Sequence, residues 1–348
     1  MKNFKFISVN TFIVLMFSLL LFVSCSNDDQ NSTGSAPVIT SVSPLSFDPD
    51  TNQPTELTSV TQGAPKNYYI IQGSGLSSVQ KIYFNDFDTY FNPALVTDNA
   101  IVVLIDEKTP YADASNQLKI VTKNGTVYYD FIIAPPSPTI NGYGPINASE
   151  GDIVTIKGKY FLNPKVTIGG NEVAVISSTL EEIKIKLPAG VNKKYITVSN
   201  ISGDATAPQA IGTAIYDDVY YGLEWGGPWG AYPVDLAYTT DYYQGKNSIK
   251  YTFGGWDGLG MGFTGIDLTP YKAIRIAVKG TKEGTLKLVI SGNWGAAYSV
   301  PVTTQWNSVT VKLSDIGNPT TFNQLVMQES GGTGGNTILV DDIGFVLK

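Results

Sequence analysis

Five tryptophans carry the most distinctive chemistry of this 348-residue chain, and all of them lie between Trp225 and Trp306. Tryptophan is large and stiff and has a flat apolar face, so a segment that concentrates it has either a Trp-rich core or a surface that stacks on something flat. Four of the five stand beside glycines, and glycine marks loops and strand ends rather than the middle of a packed strand. The pattern predicts indole rings presented at a surface.

A ring presented in this way can stack on the C–H face of a sugar, while carboxylates or amides nearby meet the sugar hydroxyls. Trp306 is different, because it opens a strand-like pattern and is expected beneath a strand end. For every ring the competing interpretation is ordinary core packing or loop anchoring. The predicted sugar contacts are Trp225, Trp229, Tyr232, Trp256, Asp257, Asn293, Trp294, Tyr298 and Gln328.

Hydrolytic chemistry has little support in the sequence. The chain contains no histidine, which excludes Ser-His triads and ordinary zinc sites. A glycosidase needs two carboxylates flanking the scissile bond. Acidic residues do occur near the tryptophans, but no closely spaced Glu-x-Asp-x-Glu strand is present. We therefore predict no catalytic residues; the acids in question are Glu224, Asp235, Asp241, Asp257 and Glu329.

A literal dinucleotide fingerprint is formed by Gly260, Gly262 and Gly265. The real motif lies between a strand and a helix, whose N-terminus binds the pyrophosphate. Here the surrounding pattern is all-β and no helix follows, so we interpret the match as fortuitous.

Two pairs of aspartates form a second constellation, Asp217 with Asp218 and Asp341 with Asp342. If the first and last strands of one domain bring them together, they would supply the hard oxygen ligands that Ca²⁺ prefers. The alternative is surface charge or turn capping. A structural calcium ion is thus a candidate cofactor, and no cofactor is required by the chemistry above.

Composition favours an extracellular all-β protein. Charged residues make up only 15 % of the chain, and nothing after the N-terminal segment has the periodicity of an amphipathic helix. The net charge is −7, and it becomes −9 without residues 1–24, which hold two lysines and no acid. An acidic surface repels phosphate backbones, so nucleic acid is not expected as a partner.

The N-terminus is typical of an export signal. Lys2 and Lys5 precede an apolar run from Phe12 to Val23, which is too short for a permanent membrane span. Cys25 is the only cysteine and cannot form an internal disulfide. We predict that residues 1–24 are a signal peptide and that Cys25 is the lipidated first residue of the mature chain; simple secretion is the alternative.

Behind the signal, the sequence divides into a polar tether (25–36) and three β-rich domains (37–134, 135–208 and 209–348). Alternation of period two marks the strands, as in Val154 and Ile156 or Leu286, Leu288 and Ile290. Prolines at 135, 136 and 138 form a stiff boundary between the first two domains.

The first two domains share a plan that resembles TIG/IPT (immunoglobulin-like) domains. Each opens on a Pro-x-Ile strand, at Pro37 and Pro138, and carries a Gly-x-x-Phe-like corner, at Gly73 and Gly158. The resemblance implies two short sandwiches. It implies little about function, because such modules serve as spacers, adhesion units and enzyme appendages alike.

The third domain resembles jelly-roll carbohydrate-binding modules, in particular the terminal domain of Bacteroidota surface glycan-binding proteins. The resemblance rests on the segments 215–218, 271–280, 306–313 and 340–345. The stretch 22–24 before Cys25 also resembles a lipobox, and 26–29 the acidic tag for export to the outer face of the outer membrane.

That resemblance implies a lipid-anchored outer-membrane protein facing the cell exterior. It would bind a polysaccharide, most simply a β-glucan or similar β-glycan, without cutting it, ahead of uptake by a SusC/SusD-type importer. A rival of another class is an adhesion lipoprotein that binds protein, which predicts tryptophans mostly in the core. A glycoside hydrolase would instead need a deep cleft with two facing carboxylates.

Overall fold

The computed structural model describes residues 34–50, 53 and 55–348, so the predicted signal peptide and Cys25 lie outside the described residues. The chain divides into two compact units, and the division falls between Pro136 and Ser137. Its regular structure is almost entirely β, which confirms the predicted all-β class. No helix among the described residues has the length and apolarity needed to cross a bilayer.

The first unit is a sandwich of two four-stranded antiparallel sheets, with strand orders β1-β3-β7-β6 and β5-β4-β8-β9, and a short parallel pair of β10 with β2. Alternation along β8 turns Leu118 and Ile120 inward, where they pack with Phe84 and Phe131. The strands are β1 (Val38–Pro44), β2 (Gln62–Gly63), β3 (Tyr68–Ser74), β4 (Val79–Phe84), β5 (Phe87–Thr89), β6 (Phe91–Val96), β7 (Ala100–Leu104), β8 (Gln117–Thr122), β9 (Gly125–Asp130) and β10 (Ile132–Ile133).

The second unit begins with another small sandwich, whose sheets have the orders β11-β12-β16-β15 and β14-β13-β17-β18. Val154 and Ile156 are fully buried, as the alternation predicts. Its strands are β11 (Thr139–Gly144), β12 (Ile153–Lys159), β13 (Lys165–Ile168), β14 (Asn171–Val173), β15 (Val175–Ser178), β16 (Glu182–Lys186), β17 (Ile196–Asn200) and β18 (Gly203–Thr206).

The remainder of this unit is a larger sandwich of a seven-stranded and a five-stranded sheet around one core cluster. In the five-stranded sheet the order is β21-β24-β29-β26-β27. The strands are β19 (Ala214–Asp217), β20 (Val219–Tyr220), β21 (Leu223–Pro228), β22 (Val234–Tyr238), β23 (Ser248–Phe253), β24 (Gly258–Asp267), β25 (Tyr271–Gly280), β26 (Gly284–Ile290), β27 (Tyr298–Val302), β28 (Asn307–Lys312), β29 (Thr321–Glu329) and β30 (Asn336–Leu347).

Polar contacts join the small sandwich of the second unit to the large one. Asn147 and Ala214 exchange two hydrogen bonds of 3.0 Å, from the Asn147 side chain to the Ala214 carbonyl and from the Ala214 amide back to the Asn147 side chain. The Leu347 amide donates to the Tyr195 hydroxyl at 3.1 Å, and the buried Arg275 donates to the Asn141 carbonyl at 3.0 Å. These contacts connect the beginning and the end of the large sandwich to its neighbour.

Candidate functional site

The outer face of the five-stranded sheet carries a row of three glycines on β24. Leu259, Met261 and Phe263 of this strand point into the core. Because side chains alternate across a strand, the glycines between them face outward; they are Gly258, Gly260 and Gly262. The dinucleotide-like fingerprint is thus part of a strand, which agrees with its interpretation as a fortuitous match in an all-β region.

Trp225 and Trp229 cover this row. Trp225 is the register partner of Gly262, and the Trp229 amide donates to the Gly258 carbonyl at 3.0 Å. A Cβ atom on Gly258 would collide with three ring atoms of Trp229, and one on Gly262 with three atoms of Trp225. Three ring atoms crowding one position indicate a ring that lies across the backbone instead of pointing at it by an edge.

Gly260 lies between the two indoles, with its Cβ position 3.4 Å from Trp229 and 3.6 Å from Trp225. The rings therefore adjoin above Gly260 and together form an aromatic strip along β24. Trp225 remains 53 % exposed and Trp229 49 %. Since one face of each ring lies on the glycine backbone, the opposite face is the one left to solvent.

Trp256 lies just before the Gly258 end of this strip, between β23 and β24, and is 55 % exposed. Its backbone is left-handed, with φ of 64°, which is uncommon for a bulky residue. The Trp256 amide donates to Glu329 Oε2 at 3.0 Å, and its carbonyl accepts from Gln328 Nε2 at 3.1 Å. Its indole lies against Gly332, whose Cβ position is 2.7 Å from the indole nitrogen.

Trp294 marks the opposite end of the sheet. It is 49 % exposed and begins a single 3-10 turn, Trp294–Ala296, between β26 and β27. Ile290 and Met261 both pair with Leu325, so the turn after Ile290 lies at the Gly262 end of the sheet. Two of the four exposed tryptophans therefore lie along an edge of this sheet, and one lies beyond each of its ends.

The polar and apolar surroundings of this face were only partly predictable. Gln328 of β29 pairs with Gly258 on one side and with Lys287 on the other, so the side chains of Gln328 and Lys287 lie on the outer face. Gln324 pairs with Gly262 and lies on the same face. At its centre are Val289 and Val326, which are buried although they stand outside the core cluster. Lys287, Gln324 and the glycine row were missed by sequence reasoning, although the period-two glycines from Gly258 to Gly262 were a readable signal.

Three other predicted contacts are placed differently. Tyr298 pairs with Leu288 and packs against the core cluster, so its side chain lies on the inner side of the sheet and away from the aromatic strip. Asp257 Oδ2 accepts the Gly254 amide hydrogen at 2.8 Å and closes the turn before β24. Asn293 directs its side chain toward Gly317. Tyr232, three residues after Trp229, is exposed as predicted.

Trp306 lies apart from the sheet face. It is half-buried, its indole nitrogen donates to Asp241 Oδ1 at 2.8 Å, and its ring meets Tyr243 edge-on at 5.9 Å between centroids. Asp241 also pairs with Lys279 at 2.7 Å. Burial opposes ionisation of Asp241, but the bonds from Lys279 and Trp306 hold its pKa below the ordinary value. A structural role for Trp306 agrees with its predicted place at a strand end.

The acidic side chains near the tryptophans are engaged in hydrogen bonds within the protein. Glu329 accepts amide hydrogens from Trp256, Gly331 and Gly332 at 2.7–3.0 Å. Burial opposes its ionisation, yet these bonds hold the Glu329 pKa below its ordinary value. Glu224 accepts the Thr264 hydroxyl hydrogen at 2.9 Å. A glycosidase acid needs a raised pKa, so the lowered pKa of Glu329 does not suit that role.

The four aspartates considered for calcium act mainly as hydrogen-bond acceptors near the junction of the two sandwiches. Asp217 accepts from the amides of Ile146 and Asn147, Asp218 from Lys246 and Asn247, and Asp341 from Tyr243 and Gln244. Asp342 is fully buried and faces the Arg275 guanidinium at 4.0 Å.

Their protonation reflects this burial. Burial raises the pKa of Asp217 to about 6 and that of Asp341 to about 7. Burial and the neighbouring Asp341 also raise the pKa of Asp342. In the described part of the chain, no three acidic side chains converge as the ligands of one ion. The Arg275 guanidinium would also repel a cation placed beside Asp342, so calcium at these side chains stays a prediction.

Comparison with known proteins supports the architecture. Residues 138–213 match the IPT/TIG domain family, which confirms the resemblance for the second β-rich domain and extends it five residues beyond the predicted boundary. An IPT/TIG domain-containing protein of Bacteroides ovatus is 26 % identical over 167 residues, which is 45 % of this chain and 32 % of that protein. A cyclomaltodextrin glucanotransferase of Niallia circulans is 33 % identical over 88 residues, 24 % of this chain and 12 % of the enzyme.

The chain thus spans about a third or less of the length of these two curated relatives. Among solved structures, the surface glycan-binding protein PbSGBP-B from Prevotella bryantii aligns over 90 % of this chain and 99 % of its own, with a TM-score of 0.52 and 16 % identity. The two proteins share their fold along nearly the whole chain.

Proposed function

We propose that this chain binds a polysaccharide at a cell surface without cutting it, through the outer face of the five-stranded sheet. The observation that carries the proposal is the aromatic strip: Trp225 and Trp229 lie flat over Gly258, Gly260 and Gly262 and keep one face of each ring open. A sugar ring presents a face of C–H groups that packs on such an indole. The fold shared with a surface glycan-binding protein supports the same function.

Two observations separate this proposal from its rivals, the exposure of the tryptophans and the surroundings of Glu329. An adhesion protein with tryptophans in its core would not leave four of five indoles about half exposed. A hydrolase needs a carboxylic acid with a raised pKa beside a second carboxylate. Glu329 instead has a lowered pKa and three amide donors, which makes it a structural carboxylate.

Affinity electrophoresis tests the binding. The chain from Ser26, which lacks the predicted lipidation site, is run through gels with and without xyloglucan, barley β-glucan, laminarin and mannan. We expect retardation by at least one of these β-glycans, lost or strongly reduced in Trp225→Ala and Trp229→Ala. Tyr90→Ala is the matched control, because Tyr90 is an 80 % exposed aromatic residue in the first unit. Unretarded migration of the folded protein in every gel would refute the proposal, and reducing-sugar release would favour the hydrolase.

We further propose that Cys25 is lipidated and anchors the chain to the outer face of the outer membrane, beside a SusC/SusD-type importer. The support is the sequence around Cys25 and the bacterial surface protein that shares the fold. Labelling of cells with an alkyne fatty acid should mark the wild type and not Cys25→Ala. Protease added to intact cells should remove the anchored protein, whereas an inward-facing protein would be protected.

A further inference from the structure

Trp256 has a backbone conformation that needs an explanation. Left-handed φ at a bulky residue is strained and persists only where the surroundings enforce it. Here both backbone polar groups of Trp256 are held, the amide by Glu329 and the carbonyl by Gln328. Both holders are consecutive residues at the end of β29, so the sheet itself fixes the position of this loop residue.

Glu329 contributes the larger part of this arrangement. Its two carboxylate oxygens accept hydrogens from Trp256 on one loop and from Gly331 and Gly332 on another. The Trp256 indole then lies against Gly332, with the indole nitrogen 2.7 Å from the Cβ position of that glycine. One buried carboxylate therefore joins two loops and supplies the surface on which the third indole rests.

Trp256 lies beyond the Gly258 end of the aromatic strip. Trp256 precedes Gly258 by two residues, and Gln328, which bonds its carbonyl, is the register partner of Gly258. Strands rise about 3.3 Å per residue, so the strip from Gly262 to Gly258 is about 13 Å long and its extension to Trp256 about 20 Å at most. An occupant that contacts all three rings must be an extended chain with successive ring faces in line.

Resting on the proposed glycan binding, we infer that Glu329 and Gln328 are positioning residues that hold Trp256 as the far end of this strip, and that the site takes an extended β-linked polysaccharide running along β24. The polysaccharide lies parallel to the strand, on the indoles that cover the glycine row. Trp256 contacts only ligands long enough to extend past the Gly258 end of the strip. Affinity consequently increases with chain length up to the point at which Trp256 is reached.

Calorimetric titration with cello-, manno- and laminari-oligosaccharides tests the inference, comparing trisaccharides with hexasaccharides of each series. Trp256→Ala should weaken hexasaccharide binding about fivefold, the equivalent of about 1 kcal/mol for one stacked ring, and leave trisaccharide binding unchanged. Glu329→Gln should give a similar length-dependent loss, because its amide group cannot accept all three backbone hydrogens.

A double variant separates positioning from general destabilisation. If Glu329 acts through the indole, Glu329→Gln should have no further effect on hexasaccharide affinity in the Trp256→Ala background. Equal losses for short and long ligands, or additive losses in the double variant, would overturn the inference while leaving glycan binding intact. If the wild type is retarded in polysaccharide gels but binds none of the oligosaccharides, the inference that the ligand is an extended β-linked polysaccharide is overturned. No binding in either assay would refute the proposed function itself.

Discussion

A single methyl group at Gly258 should disable half of the aromatic strip. The Cβ of Gly258→Ala would occupy space that three ring atoms of Trp229 fill, so the indole must tilt away from the sheet. Gly227→Ala is the matched control: Gly227 lies on β21 between the two tryptophans, and a Cβ there meets nothing within 4 Å. Both variants add the same atom to the same sheet.

The magnitude follows from the exposed face. Roughly half of a tryptophan, about 100 Å², is available for a sugar to cover, which sets an upper limit of about 2.5 kcal/mol at ~25 cal/mol per Å². Desolvation of sugar hydroxyls reduces this gain, so we expect about 1–2 kcal/mol, or about 5- to 30-fold in Kd. Stability should change little, since replacing a strand glycine by alanine gains about 0.5–1 kcal/mol and offsets lost indole packing.

Affinity electrophoresis and calorimetry with the best polysaccharide ligand measure the change in Kd, and thermal denaturation verifies folding. Weakened binding by Gly258→Ala together with wild-type binding by Gly227→Ala is the expected result. If a folded Gly258→Ala binds as tightly as the wild type, the flat indole over the glycine row is not what holds the sugar.

Three further outcomes are expected. The Glu329 pKa is lowered in the folded state, so the ionised carboxylate stabilises the fold above its ordinary pKa, and this stabilisation is lost as pH falls through the lowered pKa. The Tm difference between wild type and Glu329→Gln should therefore shrink in strong acid. Asp217 and Asp341 have raised pKa values, about 6 and about 7, so the folded state binds more protons than the unfolded state and the wild-type Tm should fall as pH rises from about 4 to 7. Asp341→Asn should flatten the dependence of Tm on pH. Addition of Ca²⁺ or of a chelator should leave the Tm unchanged, whereas a calcium-dependent rise in Tm would support the calcium hypothesis. Trp306→Phe should leave glycan affinity unchanged and lower stability by about 1 kcal/mol through the lost bond to Asp241, and a weaker Kd would show that Trp306 touches the ligand after all.

The strands were predictable because their pattern is local. Leu286, Leu288 and Ile290 alternate in sequence and are all buried in β26. The same argument could have placed Tyr298 correctly, because Val300 and Val302 share its parity and both are buried. The closeness of Tyr298 to Trp294 in the sequence favoured a binding role. However, side chains alternate between the two faces of a strand, so the position of Tyr298 along the strand decides which face it occupies.

The glycine row beneath the aromatic strip could not be derived from the sequence in the same way. Trp225 has glycines beside it in the sequence, yet the glycine it lies on is Gly262, on another strand. Register between β21 and β24 determines that contact, and register depends on the whole sheet. The tethering of Trp256 by Glu329 is of the same kind, since the two residues are 73 positions apart.

The junction between the two sandwiches of the second unit has a mechanical consequence. A bound polymer that is pulled exerts force on β24, and the sheets pass that load to the ends of their domain. There, the paired bonds of Asn147 with Ala214 act in parallel with those of Arg275 to Asn141 and Leu347 to Tyr195. Tension is thus divided among several hydrogen bonds, and the large sandwich resists being twisted away from its neighbour while the polymer is under strain.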